Sequence, residues 1–344
     1  MKLHVQNFNM IKEANLELNG LTVIAGDNDT GKSTIGKLLF SIIKSYNMSR
    51  VKAERKGHAA YEGTFRQVLS LVFESFDVSD ATLALIHDEK KQYEVTGNQT
   101  GYMRINANSE AFKLEDSIYI ESPIVWSLVD FFSTVSKLRE QDEMFGIADE
   151  ITYPYLLWDL YRKLTLRRNF VLPQENKYLA IPAEISTIVG GDVDTSSLNR
   201  FSFVRKDDQE KFPISTVASG IKSFAILDML TRNKHIHPNS VLIIDEPEVH
   251  LHPKWEYEYA RMIAQFVKLG VRVVVTTHSL YMVKALREFT KEIPDHVNFY
   301  LTSKNERHQS EFEDVTHETH KIFKKFADPL QPANKFWQRS RAFS

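Results

Sequence analysis

Two stretches of this chain carry residue types in an order that suits phosphate chemistry. The first is Gly26-Asp27-Asn28-Asp29-Thr30-Gly31-Lys32-Ser33, followed by Thr34, which has the pattern G-x-x-x-x-G-K-[ST]. Its glycines let successive backbone N–H groups curl around an anion, and a helix starting there adds the positive end of its dipole. In such a loop Lys32 reaches the β- and γ-phosphates of a nucleotide, and the Ser33 hydroxyl ligates magnesium. The second stretch is residues 241–253, VLIIDEPEVHLHP. Four apolar residues run into Asp245 and Glu246, which brings two carboxylates to the carboxyl edge of a sheet, where open α/β folds bind ligands. One acid can hold magnesium through its water shell while the next polarises an attacking water. Taken alone, each stretch has a bland alternative, a chance glycine turn and a buried strand with a solvated acidic end. Their occurrence in one chain, each with the right flanks, separates them from it.

The elements that must position these groups follow from the pattern of apolar residues. Residues 21–25 (LTVIA) form a strand running into the glycine-rich loop, and Ile35, Leu38, Leu39, Ile42 and Ile43 continue at helical spacing. Residues 2–25 as a whole read as a short β-meander. Beyond Pro253 an amphipathic helix runs to about residue 269, where Gly270 ends it, and residues 271–275 form a second buried strand. That strand ends in Thr276-Thr277-His278-Ser279, so a β-α-β unit brings His278 to the same sheet edge as Asp245. Ser219 and Gly220 open a further helix (Ile221, Phe224, Ile226, Leu227, Leu230) whose first N–H groups can hold an anion or be plainly capped.

The middle of the chain says less. Residues 65–76 carry a helical stripe, 82–106 read as short strands with a turn at Gly97-Asn98, and 117–120 form a strand ending at Glu121-Ser122-Pro123. Helical stretches follow at 124–139 and 153–168. The basic clusters Lys52, Arg55, Lys56 and Arg162, Lys163, Arg167, Arg168 read as solvated helix faces. Asp192-Val193-Asp194, after two glycines, reads as a turn, and His317-Glu318-Thr319-His320 as solvated helix surface. His235 and His237 sit in a loop and imply no metal.

A chain of 344 residues accommodates one large domain, or a domain with a sizeable insertion. The absence of cysteine excludes disulfides and thiolate metal sites. No apolar run approaches the roughly 20 residues that cross a bilayer. The first residues alternate and carry acids, unlike a signal peptide. A cytoplasmic protein without membrane contact is therefore expected. With a formal net charge of −2, any nucleic-acid contact has to come from a local patch.

Together GDNDTGKST (26–34), ASGIKS (218–223), IIDEPEVHLHP (243–253) and VVTTHS (274–279) resemble the ABC-type ATPases, in the branch with SMC, RecF and OLD-like heads. DEPEVHLHP looks OLD-like, as in stand-alone ATPases of bacterial anti-phage systems. The resemblance covers roughly residues 1–45 and 210–300. It implies an α/β P-loop NTPase head of ABC type with an N-terminal antiparallel β subdomain and an inserted helical lobe. The expected division is 1–45 and 196–310 for the core, 46–195 for the insertion, and 311–344 for a C-terminal helix and basic-aromatic tail.

By resemblance the cofactors are ATP and Mg²⁺. Gly26, Asn28, Asp29, Thr30, Gly31, Lys32, Ser33 and Thr34 lie at the nucleotide, and Ser33 and Asp245 at the metal. Lys32, Glu246 and His278 are the catalytic residues, Glu246 as general base and His278 as the switch at the γ-phosphate. Residues 249–252 fill the D-loop, and Ser219 with Gly220 contact ATP held by a second subunit. The implied function is a Mg-dependent ATP hydrolase that dimerises around ATP and controls a separately encoded effector, with DNA or RNA contact left open. The rivals are an ATP-stabilised sensor or scaffold with little turnover, and a RecF-like DNA-repair ATPase. Three departures matter. The signature lacks the second glycine and glutamine of transporter subunits, and no Q-loop glutamine can be assigned. The 65 residues after Ser279 are also too few for a Toprim nuclease domain.

Lys32→Ala should abolish tight ATP binding, because the phosphates lose the one cation the motif assigns to them. Titration with a fluorescent ATP analogue checks this, and unchanged affinity would refute the loop assignment.

Overall fold

Strands buried at every position mark the centre of the molecule, and alternating strands mark its flank. The computed structural model describes residues 1–56, 59–87, 90–107, 114–145, 153–172, 175–197 and 200–327. It begins with β1 (Lys2–Phe8), β2 (Ile11–Glu17) and β3 (Leu21–Gly26), then α1 (Lys32–Lys56) and α2 (Ala59–Val72). Strands β4 (Thr82–His87), β5 (Lys90–Gly97), β6 (Met103–Ala107) and β7 (Asp116–Ile120) follow. Helices α3 (Val129–Phe145), α4 (Tyr155–Thr165) and α5 (Glu175–Val189) lead to β8 (Gly191–Ser197), β9 (Arg200–Arg205) and β10 (Lys211–Pro213). The chain continues through α6 (Ser219–Arg232), β11 (Ser240–Asp245), α7 (Pro253–Lys268), β12 (Arg272–Thr277) and α8 (Leu280–Phe289). Strands β13 (Val297–Lys304) and β14 (Ser310–Asp314) precede α9 (His320–Ala327).

Among the described residues one sheet has eleven strands in the order β6-β5-β4-β1-β2-β14-β13-β3-β12-β11-β7. Strands β13, β3, β12, β11 and β7 are parallel neighbours. Strands β6, β5, β4, β1 and β2 are antiparallel. The parallel strands are apolar on both faces because helices cover both. On β11, Leu242 and Ile244 enter one core with the helices α3 to α8, while Val241 and Ile243 enter the other with α1 and α2. Period-two alternation on a single strand thus feeds two cores. In β1, by contrast, Leu3 and Val5 are buried while Lys2 and Gln6 face water.

Several expectations change here. The first three strands are not a meander. β1 and β2 form a hairpin, but β3 pairs with β12 and β13, and β14 stands beside β2. Apolar alternation identifies a strand but not its partner. Residues 46–195 were expected outside the core, yet β4 to β7 are hydrogen-bonded into the main sheet. Asp192-Val193-Asp194 belongs to β8 rather than a turn, because Val193 is buried opposite Phe203 while its neighbours point outward. Asp192 pairs with Arg232 and Asp194 with Lys211. His317, Glu318 and His320 are exposed, but all except His320 lie in the turn before α9. The side chains of Lys52, Arg55 and Lys56 and the tail 328–344 lie outside the described residues.

Lys163 is not on a solvated face. Its ammonium is buried, donates to the Ser117 carbonyl at 2.8 Å, lies 3.3 Å from Asp116 and pairs with Asp159. Lys44 of α1 reaches the same Asp159. Burial pushes the Asp159 carboxyl up, but Lys163 and Lys44 hold it down to about 2. Nearby, burial pushes both His235 and His237 down to about 4; His235 Nε2 lies 2.7 Å from the Leu166 carbonyl oxygen.

Asp159→Asn should cost about 3–5 kcal/mol at pH 7, because two lysine charges then share only the more distant carboxylate of Asp116. Urea unfolding measures it, and a loss under about 0.5 kcal/mol would mean the cluster is inert. Since the folded-state carboxyl sits below its ordinary 3.8, this stabilisation is complete above about pH 4 and disappears as pH falls through about 2.

Candidate functional site

The glycine-rich loop leaves β3 and enters α1 at Lys32. Gly31 turns the chain with φ +81°, a region that penalises any side chain. Gly26 is required for a different reason: a Cβ there would lie 2.0 Å from the Thr302 hydroxyl oxygen. The Thr30 hydroxyl donates to the Asp27 carbonyl at 2.7 Å and lies 2.6 Å from that of Thr302. Lys32 is buried and donates to the same Asp27 carbonyl at 2.7 Å. Around these groups lies a cavity of about 350 Å³, lined by Met10, loop residues 28–34 and Glu246. The loop acids Asp27 and Asp29 are met by Lys325 of α9, at 3.2 Å, and Lys304 of β13. Nothing in the sequence signals that the last described elements reach the loop.

The carboxylates arrive on β11, whose register with β12 sets Asp245 level with Thr276. Asp245 is buried, and three hydroxyls satisfy it: Ser33 at 3.0 Å and Thr276 donate to Oδ1, and Tyr119 donates to Oδ2 at 2.8 Å. Burial and the adjacent Asp245 push the Tyr119 phenol well above its ordinary value, so it stays a donor. Glu246 adopts a left-handed backbone, φ 46° and ψ 56°, and its N–H donates to the Thr276 carbonyl at 3.1 Å. Its Oε1 then stands 3.4 Å from Lys32 Nζ and 3.5 Å from His278 Nδ1. A second acid, Glu248, turns back under the end of β12. Its Oε1 accepts from the Thr277 hydroxyl and the His278 N–H, each at 2.7 Å.

One sheet edge thus gathers Gly26, Asn28, Asp29, Thr30, Gly31, Lys32, Ser33, Thr34, Asp245, Glu246 and His278. Ser219 and Gly220 are not among the residues lining the loop cavity. The Ser219 hydroxyl donates to the His250 carbonyl at 3.3 Å, and a Cβ on Gly220 would lie 2.2 Å from the Trp255 ring. Sequence reasoning missed Tyr119, Thr276, Glu248 and Glu121. The last follows Ile120, the β7 partner of Ile244, so it ends level with Asp245 and pairs with Lys37 at 3.0 Å. The Glu121-Ser122-Pro123 strand end was visible, but its place beside β11 was not. A larger hollow of about 670 Å³ lies between α7, α8 and α9 and shares no lining residue with the loop cavity. The convergence of charge marks the smaller one as the site.

These residues fit a nucleotide and a divalent ion. Ser33 and Asp245, 3.0 Å apart, offer the hard oxygen donors such an ion takes, and Lys32 offers a cation at the cavity floor. Together the sheet, the glycine-rich loop and the acid-tipped strand define a P-loop NTPase head of ABC type. Known structures share this fold. An SMC head domain from Thermotoga maritima matches at TM-score 0.50 and 12% identity, covering 91% of this chain and 98% of that one. An Smc head bound to the C-winged helix domain of ScpA matches at 0.53 and 13%, covering 93% and 98%. More particularly, residues 96–284, over half of the chain, match the family described as "AAA domain, putative AbiEii toxin, Type IV TA system", and the chain belongs to it. That match spans the acidic strand and His278 but begins after the loop. A comparison with curated proteins finds no match. Among the described residues, no helix is long and apolar enough to cross a membrane.

Tyr119→Phe should leave Asp245 Oδ2 without its donor, lowering stability by about 1–3 kcal/mol and raising the magnesium needed for half-maximal nucleotide binding. Urea unfolding and a magnesium titration with the fluorescent analogue measure the two effects.

Proposed function

We propose that this protein binds Mg-ATP at the loop cavity and hydrolyses it in a homodimer that holds two ATP molecules between its subunits. The observation that carries the reading is the convergence of Lys32, Ser33 and Glu246 on one cavity of about 350 Å³, with Asp245 bonded to Ser33 behind it. Bound Mg-ATP supplies the electrophilic phosphorus, with part of its charge screened by the metal. Lys32 holds the β- and γ-phosphates, with Asn28, Asp29, Thr30, Gly31 and Thr34 forming the cradle that starts at Gly26. Ser33 and Asp245 would hold the ion, and Glu121, level with Asp245 at the end of β7, would add a further acid at that sheet edge. Glu246 accepts the proton of the attacking water, and His278 stands beside it. The Glu246–Lys32 approach of 3.4 Å occupies both groups, which keeps the base idle until a phosphate takes over the ammonium.

Support for the dimer comes from α6. Ala218 at its N-cap contributes no side-chain acceptor, so the first-turn N–H groups beside Ser219 and Gly220 suit an acceptor from outside the chain. The reading assigns no nuclease chemistry to Asp192 and Asp194. Asp192 and Asp194 are each tied to a cation, and the described residues hold no metal-binding cluster of acids and histidines. We assign the output to a separate effector in a bacterial anti-phage system, as the resemblance implies; the family description itself names a putative toxin of a type IV TA system. The idle Glu246–Lys32 pair also favours a second reading, an ATP-held sensor or scaffold with little turnover. Steady-state ATPase assays with and without DNA, RNA or effector separate the two, and DNA-stimulated turnover would support a repair role instead.

Glu246→Gln should keep ATP binding yet cut turnover by about 10²–10⁴-fold and accumulate an ATP-bound dimer, read by light scattering after gel filtration. Ser219→Arg should block turnover without weakening ATP binding. Mixed with Lys32→Ala, it should regain one working site per heterodimer. Inactive mixtures, with heterodimers confirmed, would mean the site is built within one chain.

A further inference from the structure

The two acids of Glu246-Pro247-Glu248 approach one histidine from the same side of the chain. Glu246 turns with positive φ, Pro247 fixes the next residue, and a short 3₁₀ turn over Pro247–His250 aims Glu248 back beneath β12. Glu248 Oε1 then lies 3.3 Å from His278 Nδ1, nearer than Glu246 Oε1 at 3.5 Å. It also accepts from the Thr277 hydroxyl and the His278 N–H, so the backbone carrying the ring is anchored by the acid that faces the ring. The ring itself is 41% exposed and needs holding, whereas the Glu248 side chain is 5% exposed.

We infer that Glu248 is the positioning residue for His278, holding its Nδ1–H so that Nε2 faces the nucleotide and Glu246 is left free to act on water. This rests on the hydrolytic reading above. The two adjacent carboxylates have different surroundings to match. Glu248 is enclosed, and burial pushes its carboxyl up while Thr277 and the His278 N–H pull it back. Glu246 borders the cavity beside Lys32. The other charged group packed here, Glu256 of α7, is taken by the Ser279 hydroxyl at 2.6 Å. A buried acid fixing the tautomer of an imidazole that does the chemistry is a known division of labour.

The test uses the full chain with Glu248→Gln, which keeps an acceptor for Thr277 and the His278 N–H but removes the carboxylate, and with Glu248→Ala. Expected is a fall in kcat of roughly 10–100-fold, with KM for ATP within about twofold, and no further loss when Glu248→Gln is added to His278→Ala. The same cost in both backgrounds would overturn the proposal. Long-range ¹⁵N imidazole spectra, assigned by His278→Ala, should show Nδ1 protonated in the parent chain and that preference lost in Glu248→Ala and Glu248→Met, because Gln keeps an oxygen that can accept from Nδ1–H. An unchanged ring spectrum would also overturn it. A parent chain that binds ATP without turnover would refute hydrolysis, and the ring spectrum would still decide the role of Glu248. Should Glu248→Ala fail to fold, Glu248→Met, which keeps the side-chain bulk without an acceptor oxygen, decides.

Discussion

The carboxylate of Asp245 is the constraint on which the site depends. A buried anion is costly unless its lone pairs are filled, and here three hydroxyls from three elements fill them: Ser33 of α1, Thr276 of β12 and Tyr119 of β7. Those bonds fix the P-loop helix and both flanking strands relative to β11. The helix can approach because Gly36 has no side chain. A Cβ there would meet Ile243 and Tyr119 at 3.1 Å. Glycine inside a helix costs about 0.5–1 kcal/mol relative to alanine, so this contact is made against local propensity. Ser33 is brought to Asp245 by packing rather than by the loop alone.

Around that anchor the charges are shared rather than simply paired. Lys32 divides its ammonium between the Asp27 carbonyl and Glu246, and His278 stands between Glu246 and Glu248. The left-handed backbone of Glu246 costs of order 1 kcal/mol. It persists although Pro247 disfavours such a conformation in the residue before it, because the Glu246 N–H is held by the Thr276 carbonyl. An observed strain at the tip of an acidic strand, aimed into a cavity, points to function. A relaxed turn would carry the carboxylate away from Lys32. The second charge network, Lys44, Asp159, Lys163 and Asp116, ties α1 to α4 and β7. Helix α4 is thus bound to the same helix that carries the phosphate loop.

The sequence made legible what depends on near neighbours. The apolar runs of β3, β11 and β12, the loop pattern and the Gly270 stop need only adjacent residues to interpret, and the structure has them in place. What it could not show is which strands meet. β13 and β14 arrive from residues 297–314 and separate β2 from β3, which undid the meander. Register also hid Tyr119 and Glu121, since a phenol and an acid on an unremarkable strand become site residues only when β7 pairs with β11. Lys163 sat in a run of basic residues, and its burial comes from acids far away in sequence and four residues back. Asp192 and Asp194 followed two glycines, and only the pairing with β9 made that segment a strand.

The segment from Glu246 to Glu256 accordingly does more than end a strand. At its start Glu246 faces Lys32, and two residues on Glu248 holds the strand end that carries His278. The His250 carbonyl takes the Ser219 hydroxyl, its ring meets Ser122 after β7, and Trp255 covers Gly220. Glu256 then closes the circuit by taking the Ser279 hydroxyl beside His278. Two prolines, Pro247 and Pro253, limit how this stretch can deform. The start of α6 and the strand end that carries His278 are therefore held by one continuous segment. In a dimer joined through that helix end, the contact that reports a neighbour and the group that faces the nucleotide would be mechanically one piece.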